Sequence, residues 1–310
     1  STRKYWVHTE DVSKVKDQVL QELPVFLQKD EIGELLSVDS QLVNSVYLDN
    51  YAMELYHGRL DKTPGAIALR FRWYGTSAPT KVFVERKTHQ ESWTGDISVK
   101  ERFVVDESEV LLILKGEYDI QGEAEKMRLK GKSEDEVDEW FTLASEICDV
   151  IISKQLLPVI RTQYMRTAFQ IPFDATVRIS LDTNLCMIVD RTKDTSNLLA
   201  WYRDPLIPVP LTQITRFPHA VLEVKLQIEE GNLTPQWVQK LLDGGMVMQV
   251  HKFSKFIHGA AVLMPEEVRG IPYWIDDYYG KYESYFLLKD SGFITYEKEI
   301  TKENFVFFDY

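Results

Sequence analysis

Cysteine is nearly absent from this chain: Cys148 and Cys186 are the only two, and they stand in no metal-type spacing. That usage excludes a disulfide scaffold and suits a reducing, cytosolic setting. Long apolar runs are missing as well, so no stretch reads as a membrane-spanning helix, and no secretory leader is read at the start. The phosphate loop Gly-x-x-x-x-Gly-Lys-Ser/Thr does not occur, nor does a Gly-x-Gly-x-x-Gly turn after a strand, which excludes the nucleotide folds built on those loops. The six histidines contain no His-Glu-x-x-His, and there is no Gly-x-Ser-x-Gly elbow or Cys-x-x-Cys. Catalysis through a protein nucleophile therefore has no candidate. Basic charge is also in deficit, with 36 Lys and Arg against 48 Asp and Glu. A net charge of −12 argues against a general nucleic-acid coat, so any polyanion site must be local. The chain opens Ser-Thr-Arg-Lys without a methionine, which reads as a piece of a longer protein.

What is present centres on residues 66–87. Strand alternation puts Ile67, Leu69, Phe71 and Trp73 on one face and Arg70, Arg72 and Tyr74 on the other. After the turn Gly75-Thr-Ser-Ala-Pro79 the next run places Glu85 and Lys87 on a common face. Apolar content of 44% suffices for a core. One large domain over residues 1–275 is expected, followed by a tail, 276–310, rich in tyrosine and charge. Further strands are expected at 3–8, 43–49, 97–104, 161–170, 176–182 and 220–227. Helices are expected at 11–23, 50–60, 107–116, 133–157 with Pro158 closing it, from Thr234-Pro235, and at 251–263. Residues 183–218 show no period, 93–96 read as a turn, and 191–197 read as a mobile loop.

The strands share a pattern: each carries one or two charged residues on one face. These are Arg70 with Arg72, Glu85 with Lys87, Lys100 with Arg102, Arg166, Arg178 with Asp182, and Glu223 with Lys225. An antiparallel sheet with one wet face would merely solvate them. A barrel of about eight strands would instead turn them inward around an anion or water. Glu85, Asp182 and Glu223 read equally as ion-pair partners or as ligands of a divalent cation held together with substrate phosphates.

Taken together, the motifs Arg70-Phe-Arg-Trp-Tyr74, Val84-Glu-Arg-Lys-Thr-His89, Trp93-Thr-Gly95, Ser98-Val-Lys100, Tyr164-Met-Arg-Thr-Ala-Phe169, Val177-Arg-Ile-Ser-Leu-Asp-Thr183, Ala220-Val-Leu-Glu-Val-Lys225 and Lys252-Phe-Ser-Lys-Phe-Ile-His-Gly259 resemble the polyphosphate polymerase domain of the fungal vacuolar transporter chaperone complex. The resemblance runs from Arg3 to Trp274. It implies an α+β fold: a closed eight-stranded antiparallel β-barrel, the triphosphate tunnel fold, with surrounding helices. It further implies transfer of the terminal phosphate of ATP to polyphosphate, with Mn2+ or Mg2+, at the cytosolic face of the vacuole membrane. Lys4, Arg70, Arg72, Lys87, Lys100, Tyr164, Arg166 and Lys255 would grip phosphates. Arg178, Lys225 and Ser254 would contact the nucleotide, and Glu223 would hold the metal. Partners implied are polyphosphate, ATP and other subunits of that complex, with membrane contact only through segments outside this chain and no nucleic acid.

Two departures qualify the resemblance. The wider superfamily carries a Glu-x-Glu-x-Lys near its start, whereas Lys4-Tyr-Trp-Val-His8 has no carboxylate, which weighs against a tunnel triphosphatase with a full metal cluster. Met165, His219 and the tail after Asp276 differ from the pattern of the catalytic subunit, which leans the reading toward an accessory paralogue, with the polymerase subunit itself as the alternative.

Overall fold

A computed structural model describes residues 1–27, 39–90, 97–192, 195–204, 206–227 and 233–275. The expected turn at 93–96 and the tail from 276 lie outside the described residues. The architecture is α+β, a large antiparallel sheet wrapped by helices. Its strands are β1 (Thr2–His8), β2 (Gln41–Asp49), β3 (Ile67–Tyr74), β4 (Lys81–Gln90), β5 (Ile97–Asp106), β6 (Leu157–Phe169), β7 (Val177–Val189), β8 (Ile214–Arg216), β9 (His219–Leu226) and β10 (Val247–Gln249). The helices are α1 (Val12–Leu20), α2 (Glu54–Leu60), α3 (Glu107–Lys115), α4 (Ile120–Leu129), α5 (Glu134–Ser153), α6 (Gln236–Asp243) and α7 (Lys255–Leu263).

The sheet runs β10-β1-β9-β7-β6-β2-β3-β4-β5, with β8 added on β7. The expected closed eight-stranded barrel is corrected here: the sheet has ten strands, and no ladder joins its two ends among the described residues. The outer edge of β1, which closure onto β5 would need, is taken by β10 through Tyr5↔Gln249 to Val7↔Val247. The sheet nonetheless curls. Six steps separate β1 from β4, about 29 Å if flat, yet Lys4 on β1 is among the charges that depress the Lys87 ammonium on β4.

Alternation explains both faces. Leu69, Phe71 and Trp73 turn outward with Val82, Val84, Phe103 and Val105 and are covered by Val110 and Ile113 of α3 and by Ala144, Ile147 and Ile151 of α5. α5 begins at a capping box in which Ser133 and Glu136 serve each other's backbone N–H. On the far side of the sheet, Ile179, Leu181, Leu222 and Val224 meet Val15 and Val19 of α1 and Val238 and Leu241 of α6. The opposite, concave face is apolar at one end, where Trp6, Tyr47, Leu185, Met187 and Val221 receive Phe256, Ile257 and Ala260 of α7. The rest of that face carries the charges.

A β-bulge shapes this face. The β6–β7 register shifts between Gln163 and Met165, and Asn184 on β7 takes φ 52°. The extra residue resets the alternation, so Asp182 before it and Leu185 and Met187 after it all face inward.

Candidate functional site

The concave face brings the expected residues together around two buried carboxylates. Glu85 of β4 sits opposite Arg70 of β3 and Arg102 of β5 in the ladder. Its Oε2 accepts from Arg70 Nε at 2.7 Å and lies 3.7 Å from Arg72 Nη1. Its Oε1 lies 2.8 Å from Lys100 Nζ and 3.9 Å from Arg102 Nη1. Burial would raise the Glu85 carboxyl, but Arg70, Arg72 and Lys100 outweigh it and hold it at about 2. Neutral partners complete the grip: Arg70 donates to the Tyr47 hydroxyl at 2.8 Å, and Arg72 donates to Ser45 Oγ at 3.2 Å and to the Tyr164 hydroxyl at 3.3 Å.

The second centre is Asp182 of β7. Arg166 of β6 binds it with a two-pronged fork, Nε to Oδ1 at 2.6 Å and Nη2 to Oδ2 at 2.8 Å, and Lys255 of α7 donates to Oδ2 at 2.6 Å. Both cations lie over the ring of Tyr164, at 5.2 Å for Arg166 and 4.4 Å for Lys255. Burial raises Asp182, and the charges of Arg166 and Lys255 bring it below the ordinary carboxylate range.

A third row joins β1, β9 and β7. Lys4 faces Glu223, which faces Ser180, and one step along, Lys225 faces Arg178. Lys4 donates to the Phe253 carbonyl at 2.6 Å, and Lys225 lies 3.3 Å from Glu223. Burial lowers the Lys4 ammonium, with Glu223 opposing. Burial raises Glu223, but Lys4, Lys225 and Arg166 carry it far below the usual range. Lys87 is solvent-accessible, as a side chain standing in a wet interior would be. Lost solvation where the protein crowds it is nonetheless the largest cause that lowers its ammonium to about 7, with Lys4 and Arg59 adding repulsion. Lys100 falls to about 8 from burial, against the pull of Glu85.

Of the expected phosphate-gripping set, Lys4, Arg70, Arg72, Lys100, Tyr164, Arg166 and Lys255 converge with Glu85, Asp182 or Glu223. Lys87 joins them through the curl of the sheet. Arg178 is exposed at the rim of this face. Ser254 has a local task instead: its Oγ caps α7 by accepting from the Ile257 N–H at 3.3 Å, with Lys255 the next residue. No group of three or more His, Cys, Asp or Glu that could hold a metal occurs among the described residues, Glu223 included. Sequence reasoning did not single out Ser45, Tyr47 or the Phe253 carbonyl. Only strand pairing and the approach of α7 reveal them.

Residues 1–264 match a family described as the VTC domain. The vacuolar transporter chaperone complex subunit 4 of Schizosaccharomyces pombe is 42% identical over 281 residues, covering 88% of this chain and 38% of its own length. Subunit 4 of Trypanosoma brucei brucei is 35% identical, covering 88% of this chain and 35% of its own length, and subunit 2 of S. pombe is 30% identical with 88% and 39% covered. The chain thus spans between about a third and two fifths of the length of the curated relatives it matches. On the match over residues 1–264 and these relatives, the chain belongs to the VTC domain family.

Proposed function

We propose that this domain holds the triphosphate of ATP and a polyphosphate chain on its concave face and transfers the terminal phosphate from one to the other, as part of a vacuolar transporter chaperone complex. The observation that carries this is the charge imbalance of that face: Arg70, Arg72, Lys100 and Arg102 share one carboxylate, and Lys4 and Lys87 add to them, in a chain whose net charge is −12. A face that cationic is complementary to a linear polyanion.

Phosphoryl transfer asks for alignment and charge neutralisation and for little covalent chemistry by the protein. The Arg70–Arg72–Lys100 group and the Arg166–Lys255 group would hold successive phosphates on either side of Tyr164, which contacts both groups. A tunnel around the phosphate chain, completed beyond the pairing seen in the sheet, is part of this proposal. So is placement at the cytosolic side of the vacuole membrane; no helix among the described residues is long and apolar enough to cross a membrane. The donor set does not fit a metal caged by protein alone, since no three candidate ligands come together among the described residues and Glu223 lies among cations. It fits Mn2+ or Mg2+ carried in with phosphates, held by Glu223. Such an ion would neutralise charge on the transferred phosphate.

The accessory reading rests on Met165, His219 and the tail after Asp276, and the tail lies outside the described residues. Met165 alternates away from Tyr164 and Arg166, and His219 stacks on Trp6 at the apolar end. The test is to incubate the full chain with ATP, Mn2+ and a tripolyphosphate primer. Growth of polymer is the expected result. Released orthophosphate would mean a triphosphatase, binding without growth an accessory subunit, and equal affinity for RNA and polyphosphate at one salt concentration an open basic groove.

A further inference from the structure

Glu85 lies at the centre of the cation cluster. It is 2% exposed, and its neighbours approach from both flanking strands: Arg70 and Arg72 from β3, and Lys100 and Arg102 from β5. Each carboxylate oxygen is shared by two cations. One negative charge therefore gathers four positive ones, which leaves the group strongly cationic while fixing where the cations stand. Without the carboxylate, four like charges at this spacing would repel one another apart. With a second carboxylate, the surplus left for a ligand would fall from three positive charges to two.

We infer that Glu85 is a positioning residue: it holds Arg70, Arg72, Lys100 and Arg102 converged in the empty cleft, and it sets how much of their charge a phosphate chain has left to neutralise. This rests on the phosphate-binding reading above. Asp182 shows the contrast, because its two oxygens are saturated by one guanidinium fork and one ammonium. At Glu85 the contacts to Arg72 and Arg102, at 3.7 and 3.9 Å, are too long for hydrogen bonds, so those two cations keep donor capacity toward a phosphate.

Salt dependence separates this role from a merely structural ion pair. The slope of log affinity against log salt counts the charges neutralised on binding to a linear polyanion. Tripolyphosphate binding by the full chain is measured across a salt series for the parent, for Glu85→Gln and for Glu85→Asp. Removing the charge adds one cation for the phosphates to neutralise, so Glu85→Gln is expected to steepen the slope by about one unit. Glu85→Asp, which keeps the charge, returns the parental slope. A folded Glu85→Gln with the parental slope overturns the inference and leaves Glu85 as a structural ion-pair partner, with phosphate binding intact. If Glu85→Gln does not fold alone, folding restored by tripolyphosphate supports the role, since the phosphate then replaces the missing anion; no restoration overturns it. A parent that does not bind tripolyphosphate at any salt concentration sinks the phosphate-binding reading itself, and this inference with it.

Discussion

Asp182 and Glu85 are both nearly inaccessible carboxylates ringed by cations, yet they are solvated differently. The partners of Asp182, Lys255 and Arg166, have 12% and 26% of their side chains exposed, whereas the outer partners of Glu85, Lys100 and Arg102, are 42% and 51% exposed. Asp182 also ties three elements, β6, β7 and α7, and so fastens the helix that fills the apolar end of the face. Glu85 ties only neighbouring strands that the ladder already pairs. The difference teaches that a buried ion cluster fixes a fold when its partners are sheltered and tie separate elements together, and serves a ligand when surplus charge stands at a wet edge.

The sharpest way to break this comparison is to remove both carboxylates in turn. Asp182→Asn leaves the Arg166 and Lys255 charges unmatched in a sheltered site, and a loss of about 3–5 kcal/mol is expected. Glu85→Gln should lose clearly less, because water reaches Lys100 and Arg102. Urea unfolding of the two variants without ligand decides it. Equal losses would make Glu85 as structural as Asp182.

Arg72 sharpens the same contrast from the cation side. Like charges gathered in an empty basic cleft repel one another, which taken alone would make such arginines add no stability. The structure corrects this, since Arg72 donates to Ser45 and Tyr164 besides lying near Glu85. Arg72→Met should therefore lower stability without ligand, by about 1–3 kcal/mol. It should also forfeit most of the ~2.7 kcal/mol that tripolyphosphate at about 100 times its dissociation constant gives the parent. Thermal melts with and without tripolyphosphate measure both losses, and a ligand-induced shift that survives intact would remove Arg72 from the phosphate contacts.

Lys87 offers a smaller, pH-resolved test. It shares no carboxylate hub, and with its ammonium lowered to about 7, and that of Lys100 to about 8, both are partly neutral near physiological pH. A phosphate chain favours the charged form, so binding takes up protons, and affinity rises as pH falls from about 8.5 to 6.5. Calorimetry at pH 7.5 in two buffers of different ionisation enthalpy should show that uptake, and Lys87→Met should remove much of it. Buffer-independent heats would contradict the lowered ammonium.

How much of this was legible follows from where alternation holds. It assigned both faces of β3 and gathered Arg70 with Arg72 correctly, because the strand has no irregularity. It stopped at Asp182, where the bulge at Asn184 resets the alternation and β7 continues to Val189. Pro158 reads as a helix stop, but α5 ends at Ser153 and Pro158 is the second residue of β6. α4 went unread because Gly122 interrupts it and only Ala124 of its residues is buried, too little for a stripe. The converging site residues were readable through the resemblance. The meeting of four cations at Glu85 depends on the register of three strands, which no local pattern encodes.

The smallest effect contrasts the charged hubs with the apolar end of the same face. His258 of α7 and His219 of β9 are buried there, and burial lowers His258 to about 3 and, together with the nearby His8, His219 to about 4. Both are neutral in the folded protein but take up protons in the unfolded chain below about 6.5. The unfolded state therefore binds more protons across that window, so stability is fully present above pH 6.5 and declines as pH falls toward 4. Each histidine contributes a slope of at most about 1.4 kcal/mol per pH unit, or roughly 1 kcal/mol between pH 6.5 and 5.5. Glu85, held at about 2, stays ionised throughout, and Lys87 is largely protonated below its value of about 7, so neither hub obscures the measurement. Urea midpoints should fall from pH 6.5 to 5.5 in the parent, and His258→Gln should cut that fall by about half. A midpoint that stays level or rises over this window would show that the apolar end accepts the charged imidazolium, and the distinction between the dry and wet ends of the face would fail there.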